Sequence, residues 1–253
     1  MGWIPIGTYA DPFKGSFDGD RKKITGLYID DGELGCAGLF GLVSDNNTTI
    51  DNLSLENVYI YAYGSIGGIV GYITGGDIRG CYITGEIYGG SSYESFSGSQ
   101  VGGVAGGVVD CNITDCHTDC EVNGHFLGIG GIAGYIDDGS NITNCYSIGD
   151  TGGGGDVGGI VGNVYYDSKV TNCYATGAVY GAGSGVGGVA GYVYKGTVSN
   201  CYSTGNVRGT TATTGVLEIG GVVGSLNYNS SVSSCYHNGF NMRDRACDEA
   251  GGG

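Results

Sequence analysis

The chain has 253 residues, of which 56 are glycine and only 14% are charged, so its composition lies far from that of an ordinary mixed globular domain. The glycines do not fall at every third position, which excludes collagen, and 40% hydrophobic residues with only two prolines exclude a disordered chain. The formal charge of −15 argues against nucleic acid as a partner. Direct membrane insertion is not expected either, because no apolar run approaches the roughly 20 residues of a membrane-spanning helix.

The first 23 residues differ from everything that follows. They contain Trp3, Phe13 and Phe17 and lack the repeat that fills the rest of the chain. Where repeated units stack, the end unit has to cover the open core. Residues 1–23 are therefore predicted to form an N-terminal cap and entry segment.

Residues 24–238 repeat two short phrases. The first is rich in glycine and occurs seven times, as AGLFG (37–41), IGGIVG (66–71), VGGVAG (101–106), IGGIAG (129–134), VGGIVG (157–162), VGGVAG (186–191) and IGGVVG (219–224). The second is an aliphatic residue, two small polar residues and then Leu or Cys, with eight copies centred on Leu27, Leu53, Cys81, Cys116, Cys145, Cys173, Cys201 and Cys235. Successive copies are 26 to 35 residues apart, which indicates a unit near 28 residues with two insertions.

The repeated unit predicts strands and not helices. It contains short β-branched runs such as VGGIVGNV and VTNCYATGAV, separated by Gly, Asn and Asp, and lacks apolar residues at helical spacing. Units of this kind cannot bury a core alone and have to stack on one another. The predicted fold is all-β, a single parallel β-solenoid (β-helix) of about seven to eight coils with about 28 residues per coil, capped at its N-terminus.

The same phrases resemble a known family. The AGLFG phrase and its later GGxxG copies are similar to GLUG-motif repeats over nearly all of residues 3–238. They are preceded by WIPIG (3–7) and FKGSFDGDRKKITGL (13–27). Such repeats occur in large secreted or surface-anchored bacterial proteins, including adhesin-like proteins and the non-catalytic regions of some IgA-specific metallopeptidases. The resemblance implies an extracellular or bacterial cell-surface location, and it assigns no catalytic residues.

Six of the ten cysteines share the repeat position that Leu27 and Leu53 hold in the first two coils. A position that accepts Leu or Cys is apolar and buried, so an internal column of reduced thiols is predicted. The four cysteines outside the column are Cys36, Cys111, Cys120 and Cys247. A bridge between Cys111 and Cys120 stays open, whereas zinc is not expected, because the spacing lacks a CxxC knuckle.

Two further columns flank the cysteines. The residue after the column cysteine is tyrosine in five coils, at Tyr82, Tyr146, Tyr174, Tyr202 and Tyr236, and strand alternation turns these side chains outward. Such a ladder either stiffens the rod or offers an aromatic platform to sugars or a protein. The preceding asparagines are predicted to form a turn with left-handed backbone, at Asn52, Asn144, Asn172 and Asn200.

The most polar outward row belongs to the coil around Cys116 and contains Asp115, His117, Asp119 and Glu121. Parallel β-helix enzymes that act on polysaccharides place carboxylates, sometimes with calcium, on an exterior sheet. Asp115, Asp119 and Glu121 are therefore the candidates for catalysis or for a calcium site. Neighbouring coils carry no acid opposite Asp115 or Asp119, so a solvated surface is expected, with no catalytic residue, no metal and no cofactor.

Two insertions, residues 90–100 and 209–218, fall at the same point of the repeat, just before the GGxxG phrase. They should emerge on the same side of the rod, about four rungs apart. The first combines aromatic and acidic residues, a mixture suited to sugar stacking with polar contacts. Both insertions could instead be surface loops without a binding role. The predicted ligand contacts are Tyr93, Phe96, Tyr82 and Tyr88.

After Tyr236 the repeat stops, and residues 239–253 are assigned to a C-terminal tail or trimmed linker. The predicted function is a non-enzymatic adhesin or structural spacer, a monomeric module of a larger secreted or cell-surface bacterial protein. Its expected partners are glycans or proteins at a host or microbial surface. The alternative is a β-helix carbohydrate-active enzyme, either a polysaccharide lyase or a hydrolase.

Overall fold

The computed structural model describes residues 2–90, 100–125, 128–182, 185–209 and 218–239. Within these ranges the regular structure consists of strands, arranged in four parallel sheets that surround one core. The described ranges contain no helix of the length and hydrophobicity that crossing a membrane requires.

Sheets 1 and 2 contain the following strands. Sheet 1 is formed by Phe17–Asp18, Thr49–Asp51, Asp77–Arg79, Asn112–Thr114, Asn141–Thr143, Lys169–Thr171, Thr197–Ser199 and Ser231–Ser233. Sheet 2 is formed by Lys23–Thr25, Tyr28–Asp31, Ser54–Ala62, Tyr82–Gly89, His117–Gly124, Tyr146–Ser147, Thr151–Gly153, Tyr174–Ala175, Val179–Gly181, Tyr202–Ser203, Val207–Gly209 and Tyr236–His237.

Sheets 3 and 4 complete each turn. Sheet 3 is formed by Cys36–Ala37, Ser65–Gly67, Gln100–Gly102, Gly128–Gly130, Asp156–Gly158, Gly185–Gly187 and Glu218–Gly220. Sheet 4 is formed by Phe40–Ser44, Val70–Thr74, Ala105–Val109, Ala133–Asp137, Val161–Tyr165, Ala190–Tyr194 and Val223–Asn227.

The chain visits sheets 1, 2, 3 and 4 in that order and then begins the next coil. Strands of successive coils pair in parallel, so residues at equivalent repeat positions stand directly above one another. One inward column of sheet 1 contains Ile50, Ile78, Ile113, Ile142, Val170, Val198 and Val232. The predicted parallel β-solenoid, with about seven turns, is confirmed.

The N-terminal residues cover the core of the first complete coil. Ile6 and Phe13 form parallel bridges with Phe40 and Val43, and Phe17 pairs with Ile50. The rings of Phe13 and Phe17 lie 4.7 Å and 5.6 Å from the fully buried ring of Phe40. These aromatic residues thus provide the cap, while the exact domain boundaries after residues 23 and 238 stay predictions.

The paired glycines allow neighbouring backbones to approach closely. A Cβ atom at Gly158 would lie 2.1 Å from the carbonyl oxygen of Val161, and one at Gly159 would lie 2.3 Å from that of Gly188. Neither glycine needs a left-handed φ. Close packing of the turn between sheets 3 and 4 therefore accounts for the GGxxG phrase.

The predicted asparagine ladder is confirmed. The four φ angles are 54°, 55°, 55° and 53°, at Asn52, Asn144, Asn172 and Asn200. The Asn172 side-chain amide donates to Asn144 Oδ1, and the Asn144 amide donates to Asp115 Oδ1, both at 3.2 Å. Asp115, with φ of 54°, is a member of this ladder and caps the same turn.

The cysteine column is buried as predicted. Five members are at most 1% exposed and the last is partly buried, in the order Cys81, Cys116, Cys145, Cys173, Cys201 and Cys235. The Cys173 amide donates to Cys201 Sγ at 3.4 Å, and the Cys173 thiol donates to the Thr171 carbonyl at 3.2 Å. Each thiol is thereby satisfied within the core, and burial raises the pKa of Cys116 well above its usual value.

The described cysteines outside the column are also buried and unbridged. Cys111 and Cys120 are free thiols, so the bridge between them that the sequence left open is not formed. Burial raises the pKa of both thiols. Cys36 donates a hydrogen bond to the Tyr9 hydroxyl at 3.3 Å, and Cys247 lies outside the described residues.

Replacing Cys173 by Asp should disrupt several central coils. The change buries a carboxylate where no cationic partner recurs, at a cost of about 3–5 kcal/mol, whereas Cys173→Ala should cost about 1–2 kcal/mol. Urea unfolding followed by circular dichroism measures both, and thiol labelling reports whether the other column cysteines become accessible. Equal unfolding free energies for the Asp and Ala variants would contradict a buried column.

Candidate ligand-binding site

The acidic row predicted from the sequence does not converge on one point. Asp115 belongs to the turn ladder, His117 lies in a stack of aromatic rings, and Asp119 and Glu121 project from sheet 2 into solvent. In the described ranges, no three His, Cys, Asp or Glu side chains are grouped so that they could hold a metal ion. The calcium candidates Asp115, Asp119 and Glu121 are therefore not assembled into a ligand set.

The outward tyrosines form one continuous ring stack, in which His117 fills the coil that lacks a tyrosine. Ring centroids are 4.5 to 5.2 Å apart and neighbouring planes differ by 5° to 30°, in the order Tyr82, His117, Tyr146, Tyr174, Tyr202 and Tyr236. Ring faces in the middle of such a stack cover each other, so edges and hydroxyls face the solvent. This geometry favours stiffening of the rod over a platform for sugar rings.

A concave groove lies elsewhere on sheet 2, where its strands end and the chain turns toward sheet 3. Its volume is about 580 Å³, and it is lined by Tyr59, Tyr61, Tyr88, Gly89, Asn123, Gly124, His125, Gly153, Gly154 and Ala182. The rings of Tyr59 and Tyr88 are 6.0 Å apart and inclined by 54°, so they do not cover each other as the stacked rings do. We call this feature the tyrosine groove.

Carboxylates border the tyrosine groove on consecutive rungs. Glu86 pairs in register with Glu121, and Asp150 continues the column on the next rung. The Tyr88 hydroxyl donates to Glu86 at 3.2 Å, and the Asn123 amide donates to Glu121 at 2.8 Å. Burial and the nearby Glu121 and Glu86 carboxylates raise the pKa of Tyr88 to about 12.

Tyr180 fixes the side chain of Asn123 beside the groove. Its hydroxyl donates to Asn123 Oδ1, two rungs away. The ring lies over Gly152, where a Cβ atom would come within 2.0 Å of the Tyr180 Cε2 atom. Tyr180, Asn123 and Glu121 thus form a chain of hydrogen bonds that depends on glycine at position 152.

Of the predicted ligand contacts, the structure places only Tyr88 in the tyrosine groove. Tyr82 belongs to the ring stack, six residues and roughly 20 Å away along the same strand. Tyr93 and Phe96 lie outside the described residues. Gly90, from which their insertion departs, would place a Cβ atom 3.0 Å from the Tyr61 hydroxyl oxygen, so the insertion starts beside the groove.

The predicted placement of the two insertions is confirmed at their ends. Both leave the end of sheet 2 and return to the first residue of a sheet 3 strand. Those return points belong to one column, four rungs apart, which runs through Gln100, Gly128, Asp156, Gly185 and Glu218. Both insertions therefore leave the same side of the rod.

The repeat spacing also predicts that Glu86 lies opposite Glu121 on the neighbouring coil. Glu86 precedes Glu121 by 35 residues, the same interval that separates Cys81 from Cys116. The position equivalent to Glu121 one coil earlier is therefore also acidic. A further cluster of inclined rings on sheet 4 and its following turn was also missed, and it contains Tyr135, Tyr165, Tyr166, Tyr192, Tyr194 and Tyr228.

Comparison with protein families gives four matches to the GLUG motif, at residues 62–88, 127–151, 153–180 and 182–208. Four stretches of this solenoid thus match the GLUG motif. Each match starts at or near the end of a sheet 2 strand and closes one full turn. The tyrosine groove therefore lies near the ends of the matched stretches, where one turn of the solenoid passes into the next.

Two curated relatives are similar to parts of this chain. A protein of Evansella cellulosilytica, provisionally named a Gly-rich membrane protein, is 39% identical over 74 residues, which cover 29% of this chain and 8% of the relative. Halomucin of Haloquadratum walsbyi is 33% identical over 142 residues, or 54% of this chain and 2% of the relative. The chain thus spans less than a tenth of the length of either.

A solved structure shares the architecture over most of the solenoid. It is a protein of Bacteroides ovatus described as a candidate immunoglobulin A1 protease, with a TM-score of 0.66 and 25% sequence identity. The similarity covers 94% of this chain and 72% of that chain.

The position of His117 in the ring stack generates a prediction about pH. Burial lowers the pKa of His117 below its ordinary value near 6.5, so protonation favours the unfolded chain. Its contribution to stability is complete above roughly pH 6.5 and is lost as the pH falls through the lowered folded-state pKa. His117→Tyr, which completes the tyrosine stack, should therefore gain stability relative to the wild type on acidification.

Urea unfolding of both proteins between pH 7.5 and pH 5.5 measures this difference. Carboxylates titrate in both proteins, so the difference between the two curves isolates the histidine. A difference that is constant with pH, or that favours the wild type at low pH, would show that burial in the stack does not hold the imidazole neutral.

Proposed function

We propose that the chain is a non-enzymatic binding module of a secreted or cell-surface bacterial protein, adhesin-like in character, which binds glycans in the tyrosine groove. The observation that carries this proposal is the groove itself, a concave site of about 580 Å³ lined by three tyrosines and bordered by fixed polar groups. Aromatic walls with a few oriented polar groups suit the apolar faces and hydroxyls of sugar rings.

The solenoid suits a role in presenting such a site. Its strands are paired above and below along the rod, so the groove rests on a hydrogen-bonded scaffold and not on a loose loop. The names of the two relatives, a Gly-rich membrane protein and halomucin, support a location at the cell surface. A pure spacer or a protein-binding module would use the same scaffold without occupying the groove with a sugar.

One observation favours a carbohydrate-active enzyme as the second candidate. Glu86 and Glu121 lie on adjacent rungs beside the groove, with backbones about 4.8 Å apart. Retaining glycosidases use two carboxyl groups roughly 5 Å apart, a separation that side chains projecting from adjacent rungs can reach. Among the described residues, however, the groove lining contains no lysine or arginine, and His125 is its one cationic candidate.

Tyr88→Ala should abolish most of the binding to any glycan that the wild-type protein retains on a glycan array. Loss of one central ring weakens a binding site roughly tenfold or more. Tyr174→Ala is the matched control, because it removes a ring of the same type from the stack and leaves the groove intact. Isothermal titration calorimetry with the retained glycan compares the two variants.

Retention of no glycan, or equal binding by both variants, would contradict glycan binding in the groove. Release of shorter sugars from the retained glycan, lost in Glu86→Gln, would instead establish the enzyme.

A variant that joins Gly90 directly to Gln100 tests the predicted contribution of Tyr93 and Phe96, with weaker binding as the expected result.

A further inference from the structure

The charged side chains along the border of the tyrosine groove are acidic. Its lining combines three tyrosines with an amide and an imidazole, and three carboxylates follow along its border, at Glu86, Glu121 and Asp150. In the part of the chain that the structure describes, the ion pairs join Lys22 with Asp20, Lys23 with Glu56 and Arg79 with Asp77. None of these cations neutralises the bordering carboxylates.

This column of like charges stores repulsion that a ligand could relieve. Carboxylates directly opposite one another on paired strands destabilise a sheet, and here they follow on three consecutive rungs of a chain with a formal charge of −15. A concave surface lined by one sign of charge concentrates ligands of the opposite sign. Because no ion pair engages the bordering carboxylates among the described residues, they are available to a cationic ligand.

We infer that the tyrosine groove binds a glycan that carries ammonium groups, an oligosaccharide of amino sugars. This inference rests on the proposed glycan-binding function and names its ligand class. Ammonium groups are attracted to the faces of tyrosine rings and form charge-assisted hydrogen bonds with carboxylates. Tyr59, Tyr61 and Tyr88 supply the rings, while Glu86 and Glu121 supply the acceptors.

A glycan is favoured over a cationic peptide by the state of the backbone around the groove. Gly89, Gly124, Gly153 and Gly181 form one column in which each residue pairs with its neighbours on the adjacent rungs. The sheet thus has no open edge here for an extended peptide to join by main-chain hydrogen bonds. Ring faces and side-chain acceptors stay available, and these match pyranose rings with hydroxyl and ammonium substituents.

The test compares ligands that differ in charge at matched positions. A β-1,4-linked glucosamine hexamer, its fully N-acetylated form and a galacturonic acid hexamer are titrated calorimetrically into the folded protein, with hexalysine as the peptide comparison. The glucosamine hexamer should bind most tightly, N-acetylation should weaken binding at least tenfold, and affinity should fall as salt increases. The galacturonic acid hexamer should not bind.

The double variant Glu86→Gln/Glu121→Gln should weaken glucosamine hexamer binding roughly tenfold. It removes like charges from opposite positions, so its thermal midpoint should equal or exceed that of the wild type, which separates lost binding from lost folding. Asp138→Asn/Asp167→Asn makes the same change in net charge at exposed turns after sheet 4 and should bind as the wild type does.

Equal affinity for the glucosamine and N-acetylated hexamers, unchanged in the double variant, would overturn the inference and leave the proposed glycan binding intact. Tighter binding of hexalysine than of the glucosamine hexamer would also overturn it, in favour of a cationic peptide. If the glucosamine hexamer fails to bind while the array retains neutral glycans, the inference fails alone; if neither binds, it fails together with the proposed function.

Discussion

The structure depends on one constraint, the in-register pairing of parallel strands from successive coils. Because paired strands are only about 4.8 Å apart, every repeat position becomes a column, and a residue must be compatible with its counterparts above and below. Inward columns therefore keep one chemical type, Ile or Val in sheet 1 and Cys or Leu before sheet 2. Outward columns acquire shared interactions, as in the stacked rings and the asparagine ladder.

The same constraint explains why the candidate site lies where the repetition is broken. In the groove region, the column that contains Asn123 continues with Gly152 and then Tyr180, so one large ring can lie across a coil that lacks a side chain. The neighbouring column changes from tyrosine to glutamate between adjacent rungs, where Tyr59 pairs with Glu86. These departures create a concave, acidic, aromatic surface on an otherwise regular rod.

Sequence reasoning could predict the parts of the structure that follow from repeat spacing. The burial of Cys173, the outward direction of Tyr174 and the left-handed turn at Asn172 all derive from strand alternation and turn chemistry within one unit. The spacing also contained the register of Glu86 with Glu121. These positions depend on local order that is repeated in each coil.

The groove could not be predicted in the same way, because it depends on a register shift and on ring inclination. An irregularity between Ile83 and Gly85 shifts the pairing by one residue, which places Tyr61 opposite Tyr88, 27 residues later, and not opposite Gly89, which the usual 28-residue spacing implies. Similarly, the sequence pattern places His117 in a polar row, whereas in the structure its imidazole stacks as one more aromatic ring. A backbone irregularity decides the first case, and side-chain packing decides the second.

Deletion of one complete unit, residues 145–172, tests the stacking of equivalent columns most directly. The deletion joins Asn144 to Cys173, so Cys173 should take the place of Cys145 above Cys116 and every column should continue. Small-angle X-ray scattering and circular dichroism should then show a folded rod shorter by one rung, about 4.8 Å. Deletion of residues 145–158, half a unit, should destroy the fold. Unfolding of both variants alike would contradict the account of a rod built from interchangeable, in-register coils.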